Sequence, residues 1–284
     1  MPVGLPEWLE QRELDPGPGA YEELPALFRA ALKSQIAMLD KFWPSNPDRL
    51  RTRELYQFRA WIRIYPKDWA VFLLAPEYAS PAGLIAAVLP AVAAGVEKLL
   101  ICRVCPPGSV LPAPLSAALE LLGQEYLYGL PGLEDAGLLE DLAAQNGVET
   151  GALALLGSEW TGGEGWLQRA RALGLWFRSV PGRVKILHSS GGSASAALDK
   201  ELLRWLHPQA EIIYPVEDRA DSPVVPSAIP DQGDAGFFGA AGENFPGLIT
   251  APGQEAFWVW PEFSPRDFFR QSIVLTSLAA SSRF

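Results

Sequence analysis

The chain has 284 residues, of which 49% are hydrophobic and 20% charged, a composition typical of a folded globular protein and not of a disordered one. Its net charge is −10 at pH 7, which disfavours binding to the phosphate backbone of nucleic acids. The two cysteines, Cys102 and Cys105, are too few for a disulfide framework and favour a reducing compartment.

The sequence predicts a cytoplasmic protein that does not bind membranes. The N-terminal stretch MPVGLPEWLEQRELDPGPG lacks the basic residues and apolar core of a signal peptide. The longest apolar run, Leu84–Val96, contains Pro90 and is too short to span a bilayer.

The first part of the chain predicts an arm that lies outside a central sheet. The pattern of YEELPALFRAALKSQIAMLDKF predicts one amphipathic helix over 21–42, with Pro25 in its first turn. The positions at helical spacing are Leu27, Ala30, Ala31, Gln35 and Met38. Alternation in YQFRAWIRIYP predicts a half-buried strand over 56–66. Residues 1–66 are therefore expected to form a leader and a helix-and-strand arm.

The next segment alternates strands with helices. The continuous apolar run WAVFLLAP has the length and composition of a buried parallel strand. Ser80 and Pro81 are placed to begin a helix that Pro90 interrupts, and EKLLICRV then predicts a second buried strand. PAPLSAALELLG predicts a helix that ends at Gly123, and YLYGL predicts a short strand. This order implies right-handed parallel β/α/β units.

Further helices and strands are expected after residue 130. LEDAGLLEDLAAQNG, GEGWLQRARALG and SASAALDKELLRWL predict helices, whereas GALALLG, GRVKILHSSGG and AEIIYPV predict strands. The Pro-, Asp- and Ser-rich stretch 217–233 predicts a loop. SPRDFFRQSIVLTSLAAS is expected to be a helix with Ser264 as its N-cap and Pro265 at its first position.

Three stretches of the sequence carry a family resemblance: WAVFLLAPEYASPAGLIAAVLPAVAAGVEKLLICRV, RVKILHSSGGSASAALDKELLRWLHPQAEIIYPV and DAGFFGAAGENFPGLITAPGQEAFWVWPEFSPRDFFRQSIVLTS. In order and pattern they resemble histidinol dehydrogenase, a member of the aldehyde-dehydrogenase-like superfamily. The resemblance implies an α/β fold of the aldehyde-dehydrogenase-like type: a Rossmann-type parallel sheet with helices on both faces and a reduced second α/β domain. It places the main domain at residues 67–129 and 183–284 and the reduced domain at 130–182.

The zinc ligands of that family are not retained. The family binds zinc through a Gln-x-x-His pair, an Asp and a late His; RWLH places His207 at the histidine but Arg204 at the glutamine. A guanidinium does not bind a cation. The Asp position falls near Gly247, which has no side chain, and the last His would lie beyond Phe284. We therefore expect no metal site.

The family's other functional positions are also changed. Its substrate-binding Asn-His pair falls near Gly253 and Gln254, and its Glu-His acid/base pair falls around 217–233, which contains no histidine. A tyrosine on the cofactor side corresponds to Phe72, and a Pro-Gly-Gly loop corresponds to residues 74–76, Leu-Ala-Pro. The glycines that would let the backbone approach a cofactor are absent.

Three residues remain catalytic candidates: Cys102, His188 and His207. CRVC has the spacing of a redox motif, but it ends a strand and runs into two prolines instead of opening a helix, which favours ordinary buried cysteines. His188 at a strand end and His207 at a helix end are both more typical of histidines bonded to backbone groups. Trp258, Trp260 and Phe263 predict a packing or subunit surface rather than a cofactor platform.

The best ligand site in the sequence is the turn after the strand that ends at His188. It contains Ser189, Ser190, Gly191, Gly192 and Ser193. Backbone N–H groups and the dipole of the helix that follows would favour an anion, at the carboxyl end of a parallel strand. The alternative is an ordinary loop with a serine N-cap.

Two functions stay open. The first is a histidinol-dehydrogenase-like protein, a pseudoenzyme without zinc-dependent chemistry, that acts as a binding or regulatory module for an unidentified small molecule or protein partner; no cofactor is expected. The second is a metal-independent oxidoreductase that uses NAD(P), or another nucleotide or anionic ligand, at the Ser189–Ser193 turn, with Cys102 or His188. The oligomeric state is open, a homodimer included.

Overall fold

A computed structural model describes residues 9, 14, 19–43, 50–55, 58–106, 108–124, 127–132, 137–147, 150–157, 163–180, 185–188, 199–208, 211–213, 236–238, 247–250, 255–260 and 263–277. The helices are α1 (Ala20–Glu23), α2 (Ala26–Phe42), α3 (Pro81–Ala94), α4 (Ala113–Leu121), α5 (Gly137–Asn146), α6 (Gly163–Leu173), α7 (Lys200–Leu206) and a 3-10 helix (Pro265–Phe268). The strands are β1 (Leu50–Leu55), β2 (Phe58–Pro66), β3 (Trp69–Leu74), β4 (Lys98–Val104), β5 (Leu127–Leu130), β6 (Gly151–Leu156), β7 (Trp176–Val180), β8 (Lys185–His188), β9 (Glu211–Ile213), β10 (Gly236–Phe238), β11 (Gly247–Thr250) and β12 (Phe269–Ser277).

A five-stranded parallel sheet forms the centre of the fold. Its strand order is β5-β4-β3-β6-β7. Counted along the chain within this sheet, the order is 3-2-1-4-5, which is the order of a Rossmann-type sheet. The predicted α/β class with a Rossmann-type parallel sheet is confirmed.

Helices cover both faces of this sheet. Successive side chains of β3 point to opposite faces: Phe72 and Leu74 pack in the core that contains α3 and α4, and Val71 and Leu73 pack in the core that contains α5 and α6. All six residues of β3 are buried. Burial on both faces explains why the strand is a continuous apolar run and not an alternating one.

Two strands of the segment 130–182, β6 and β7, belong to this same sheet; the predicted division into domains stays a prediction. β6 lies beside β3 along its whole length, from Gly151 opposite Trp69 to Leu156 opposite Leu74. β6 also pairs with β7, so it has a parallel neighbour on each side. The five strands β3 to β7 therefore form one sheet, in which β6 covers a hydrogen-bonding edge of β3.

Residues after 180 contribute to two further sheets. One is four-stranded, with the order β10-β11-β8-β9; β8 is parallel to both of its neighbours, and β10 is antiparallel to β11. The other is antiparallel and three-stranded, with the order β1-β2-β12, and it joins the end of the described chain to the predicted arm.

The prediction of a C-terminal helix was wrong beyond its first turn. The Ser264 N–H and hydroxyl both donate to Asp267 Oδ2 at 2.8 Å, and this cap begins only a 3-10 turn. The chain then extends as β12, which pairs antiparallel with β2. The neighbouring β-branched residues Ile273 and Val274 favour an extended backbone, and β2 supplies the partner strand.

The predicted helix over 21–42 is divided by its proline. α1 ends at Glu23, Leu24 has an extended backbone with ψ 145°, and α2 begins at Ala26 after Pro25. A residue before proline is disfavoured in the helical conformation, which explains the break at Leu24.

α3 is the most completely buried helix that we describe. Eleven consecutive residues, from Pro81 to Ala91, are buried, and the helix continues through Pro90. It has 14 residues. Within the described ranges, no helix is both long enough and apolar enough to cross a membrane.

Candidate functional site

The strand order creates a switch point between β3 and β6, the position where open parallel sheets usually bind ligands. In this chain the residues that follow the two strands are in contact. The Ala75 N–H donates to the Leu156 carbonyl at 2.9 Å, and Ala75 has no exposed surface. Gly157 lies so close to Ala75 that a β-carbon on the glycine would collide with the alanine side chain. The described part of the switch point is therefore filled by the chain itself.

Arg103 at the end of β4 holds the loop that follows β3. Its guanidinium donates to the Pro76 carbonyl at 2.6 Å and to the Tyr78 carbonyl at 3.2 Å. Burial lowers the pKa of Arg103, and the neighbouring Cys105 and Glu77 act in the opposite direction. Two backbone carbonyls bound to one side chain keep the loop folded against β4.

Ser80 closes the start of α3. Its hydroxyl accepts from the Gly83 N–H at 3.0 Å and donates to the Leu206 carbonyl at the end of α7, 2.9 Å away. Pro81, the first helical residue, has no N–H to offer a ligand. The helix terminus that would otherwise attract an anion is thus capped by the chain and covered by α7.

His207 follows α7 and packs beside Ser80. Its Nδ1 lies 3.3 Å from Ser80 Oγ, and its ring centroid lies 4.5 Å from that of Trp258. Because the Ser80 proton is directed to the Leu206 carbonyl, the network assigns the imidazole proton to Nδ1 and leaves Nε2 as an acceptor. Burial lowers the pKa of His207 to about 3, so the ring is neutral at pH 7.

Tyr78, Ser80, His207 and Trp258 form what we call the buried polar cluster. Two of its atoms, His207 Nε2 and Trp258 Nε1, have no hydrogen-bond partner among the described residues. The Tyr78, His207 and Trp258 side chains are at most 2% exposed. Burial raises the pKa of the Tyr78 hydroxyl, a side-chain hydrogen bond with Ser80 acts in the opposite direction, and the tyrosine is neutral.

Gln35 of α2 holds Trp258 in place. The Trp258 N–H donates to Gln35 Oε1 at 2.7 Å, and Gln35 Nε2 donates to the Trp258 carbonyl at 2.6 Å. Nearby, Trp260 Nε1 donates to the Gly83 carbonyl at 2.8 Å. Trp258, Trp260 and Phe263 are all buried, so these aromatic side chains pack in the core.

Sequence reasoning placed Gln35 on the inner face of a helix but missed its pairing. Gln35 and Trp258 are 223 positions apart, and no motif links them. It also used Ser80 only as a helix cap and did not place it with His207. A polar residue on an otherwise apolar helical face was the only signal that could have singled out Gln35.

The structure does not bring Cys102 and His207 together. Cys102 is fully buried in β4 with the core of α5 and α6, on the face of the sheet opposite α3. Burial raises the pKa of Cys102 to about 12, which keeps the thiol protonated at pH 7. Cys105 is also buried, with Sγ 3.6 Å from the Arg103 carbonyl.

The predicted anion turn lies outside the described residues. Ser189, Ser190, Gly191, Gly192 and Ser193 fall in that part of the chain, as does the side chain of His188. The His188 backbone ends β8 and lies opposite Thr250 of β11 in a parallel ladder. The turn therefore begins at the carboxyl end of parallel strands, and its role as an anion site stays a prediction.

The positions that correspond to the family's zinc ligands do not fit a zinc ion. Arg204 is exposed in the last turn of α7, His207 is buried against Ser80 and Trp258, and Gly247 begins β11. In the part of the chain that the structure describes, no group of three or more His, Cys, Asp or Glu residues could hold a metal ion.

Phe72, at the position of the family's cofactor-side tyrosine, is a core residue. It has no exposed surface, and its ring centroid lies 5.9 Å from that of Phe268. Leu74 and Ala75, from the position of the glycine-rich loop, are also fully buried.

Comparison with protein-family models finds no match, and comparison with curated proteins finds none. Among solved structures, histidinol dehydrogenase from Elizabethkingia anophelis is 15% identical, with a TM-score of 0.46 over 67% of this chain and 49% of that chain. The putative aldehyde dehydrogenase PutA from Anabaena variabilis is 15% identical, with a TM-score of 0.36 over 59% and 35%. Betaine aldehyde dehydrogenase from Staphylococcus aureus, solved in complex with NAD+, is 13% identical, with a TM-score of 0.38 over 58% and 32%.

The chain spans about half or less of the length of these solved structures. Membership of the histidinol dehydrogenase family stays a prediction. The assignment to the α/β class rests on the parallel sheet of the chain itself.

Proposed function

We propose that this protein is a non-catalytic binding or regulatory module, related to histidinol dehydrogenase but without zinc-dependent dehydrogenase chemistry. One observation carries the proposal: the chain's own residues occupy the start of α3 and the described part of the switch point between β3 and β6. In a Rossmann-type sheet these are the places where the phosphates of a dinucleotide are bound.

A dinucleotide would have to break several buried contacts to bind there. The Gly83 N–H already donates to Ser80, and the Tyr78 hydroxyl lies against Gly83. Displacing Ser80 would also leave the Leu206 carbonyl without this hydrogen bond, at about 1–3 kcal/mol for each buried polar group left unpaired. This cost supports the proposal that the protein does not bind NAD at the start of α3.

The metal positions support the same proposal. An exposed arginine and a glycine stand where the family has two zinc ligands, and the remaining histidine is packed in the buried polar cluster. Loss of one ligand would weaken a zinc site, whereas loss of several removes the means of activating an alcohol substrate by a metal.

A second candidate is a metal-independent oxidoreductase with NAD(P), or another nucleotide or anionic ligand, at the Ser189–Ser193 turn. The observation that favours it is the parallel pairing of β8 with β9 and β11, which starts the turn at the carboxyl ends of the strands. That edge is where parallel sheets present ligand-binding loops.

Calorimetric titration of the full chain with NAD, NADP, histidinol and zinc tests the proposal. We expect no saturable heat from any of the four, together with no change in melting temperature when each is present at millimolar concentration. A ligand at 100 times its Kd would stabilise the folded chain by about 2.7 kcal/mol, which a melting curve detects readily.

Saturable NAD or NADP binding would contradict the first proposal. A Ser190→Asp variant then tests the second, because a carboxylate in the turn repels a phosphate. Loss of binding in this variant, with binding retained in an Arg204→Ala control, supports the oxidoreductase; unchanged binding places the nucleotide elsewhere and contradicts it.

A further inference from the structure

We propose that two copies of this chain associate through opposite charges, with the antiparallel sheet β1-β2-β12 of one copy against residues 134–149 of the other. We call this sheet the basic sheet and residues 134–149 the acidic segment. Neither includes the start of α3, so the association is independent of the proposed loss of NAD binding.

The basic sheet has a charge opposite to that of the chain as a whole. Its three strands contain five arginines, one glutamate and no other charged residue, a net charge of +4. These residues are Arg51, Arg53, Arg59, Arg63, Arg270 and Glu54. Because the whole chain has a net charge of −10, the residues outside the three strands carry −14. The sheet is therefore complementary in charge to the rest of the chain.

The basic sheet also exposes large apolar side chains. Ile273 is 59% exposed and Val274 51%; because they are neighbours in β12, their side chains point to opposite faces of the sheet. Tyr65 of β2 is 39% exposed. These are three of the six large hydrophobic side chains that are exposed in the part of the chain that we describe. Exposed apolar groups gathered in one place are typical of a surface that a partner covers.

β12 lies at an edge of this sheet. Among the described strands, β2 is its only neighbour, and four consecutive residues of β12, 271–274, are exposed. The nine residues of β12 contain neither lysine nor proline, two residue types that protect natural edge strands against association. The strand is thus accessible to a partner on both faces.

Arginines and aromatic residues alternate along one face of β2. The residues are Arg59, Trp61, Arg63 and Tyr65, and their spacing of two directs all four side chains to the same face. The Arg59 guanidinium carbon lies 6.0 Å from the centroid of the Trp61 ring, and Arg63 is exposed. Trp, Tyr and Arg are the residue types that contribute most to binding in protein–protein interfaces, so the composition of this face favours a protein partner.

The acidic segment has the complementary composition. It includes α5 and contains five acidic residues and no lysine or arginine: Glu134, Asp135, Glu140, Asp141 and Glu149. It lies within a longer stretch, 104–168, that has nine acidic residues and again no lysine or arginine. The buried residues of α5 are all apolar, and the Glu140 side chain is 41% exposed. The charge of this segment, −5, therefore offsets the +4 of the basic sheet.

A second copy of the chain fits the basic sheet better than a nucleic acid does. A nucleic acid would bring its phosphates close to a chain that carries −14 outside this sheet, and like charges repel. In a dimer with two-fold symmetry the favourable contact is made twice, because each copy supplies one basic sheet and one acidic segment.

Sedimentation velocity of the full chain, over a range of protein concentrations, tests the association. We expect a dimer whose Kd is at least about tenfold higher at about 1 M salt than at about 0.1 M, because salt shortens the distance over which charges attract. A monomer at every concentration would overturn the proposal and leave the basic sheet to a different acidic partner. A dimer with the same Kd at both salt concentrations would overturn it too.

An Arg63→Glu variant tests the basic sheet itself. Arg63 is chosen because it is exposed, whereas Arg270 is paired with Asp68 at 3.2 Å. We expect Kd to rise at least about tenfold with Tm unchanged. Arg204→Glu, with the same change of charge at an exposed position of α7, is the control and should leave Kd unchanged. Equal Kd values for the two variants would overturn the role of the basic sheet.

Cross-linking of an Arg63→Lys variant identifies the surface that the basic sheet contacts. This substitution keeps the positive charge and introduces an amine, which a carbodiimide joins to a nearby carboxylate as an amide. A mixture of isotopically light and heavy chains distinguishes links between copies from links within one copy. We expect links between copies from position 63 to carboxylates of residues 134–149. Links between copies to other carboxylates alone, or none between copies, would overturn the proposal.

Discussion

The Ser80 hydroxyl has one proton to donate, and the acceptor of that proton determines which nitrogen of His207 is protonated. It donates to the Leu206 carbonyl and accepts from the Gly83 N–H, so the remaining contact, with His207 Nδ1, requires a proton on the imidazole. One small side chain thereby caps α3, binds the end of α7 and sets the tautomer of a buried histidine. The histidine is then neutral, with its Nε2 lone pair directed away from Ser80.

A His207→Phe substitution is expected to reduce the loss of stability on acidification. The pKa of His207 in the folded chain, about 3, is below the ordinary value of 6.5, so the unfolded chain binds the proton first as the pH falls. The corresponding stability is fully present above pH 6.5 and is lost as the pH falls towards 3, by an amount on the order of 4 kcal/mol. Phenylalanine keeps a ring against Trp258 but does not titrate. The measurement is the urea midpoint at pH 7 and at pH 4.5.

The chain's other histidine supplies the control for this measurement. A His188→Asn variant is expected to lose as much of its urea midpoint between pH 7 and pH 4.5 as the unmodified chain does. His207 would not be the source of the pH dependence if His188→Asn reduced this loss as much as His207→Phe. The same conclusion would follow if His207→Phe lost as much of its midpoint as the unmodified chain.

At the scale of elements, β3 and β6 pair closely because a glycine begins β6. Gly151 lies opposite Trp69, and a β-carbon on the glycine would collide with the indole ring. The same ring donates through Nε1 to the Gly147 carbonyl at 3.2 Å, and Lys67 Nζ donates to the Gly151 carbonyl at 2.9 Å. The indole is therefore fixed by its hydrogen bond to Gly147 and packs against Gly151, whose own carbonyl is bound by Lys67.

Gly151→Ala is expected to destabilise the protein because the buried Trp69 ring cannot yield. Overpacking of this kind typically costs about 1–3 kcal/mol. Gly165→Ala in α6 is the matched control: a β-carbon there meets nothing within 4 Å, and alanine favours a helix over glycine by about 1 kcal/mol. Urea unfolding should thus show a lower midpoint for Gly151→Ala and a higher midpoint for Gly165→Ala. A Gly151→Ala midpoint equal to or above that of the unmodified chain would contradict the packing argument.

At the scale of the whole molecule, one apolar core joins the five-stranded sheet to segments that lie far along the chain. This core contains side chains of β3, α3 and α4 together with Leu203 of α7 and with Trp258 and Phe268 near the end of the described chain. The Gln35–Trp258 pair adds α2 to the same core. Because these contacts join distant parts of the chain, we expect the described elements to unfold together.

Leu203→Ala tests this cooperativity. Leu203 has no exposed surface, so its truncation is expected to cost about 2–5 kcal/mol and to lower the midpoint of a single transition. Arg204→Ala, at the adjacent exposed position, should have little effect. Near-ultraviolet and far-ultraviolet circular dichroism should show coincident melting curves for both variants. A separate early transition in Leu203→Ala would show that α7 unfolds independently of the five-stranded sheet.

Several parts of the fold could be predicted because their signals are local. The run Trp69–Leu74 is long enough for a strand and apolar at every position, which predicts a strand buried on two faces. The cap Ser264–Asp267 was a local signal too, but it specified only one turn, since the residues that follow are β-branched and β2 offers them hydrogen bonds. Pairing with a distant strand outweighed the cap.

By itself, the sequence determined the alternation of apolar strands and helices, the α/β class and the absence of the family's zinc-ligand pattern, because these depend on residue type, spacing and hydrophobic period. Only the tertiary structure decided that β6 belongs beside β3, that Gln35 holds Trp258, and that Ser80 and His207 meet at the start of α3. Such contacts join residues more than 80 positions apart, and which of the compatible partners meet is decided by the packing of the whole chain.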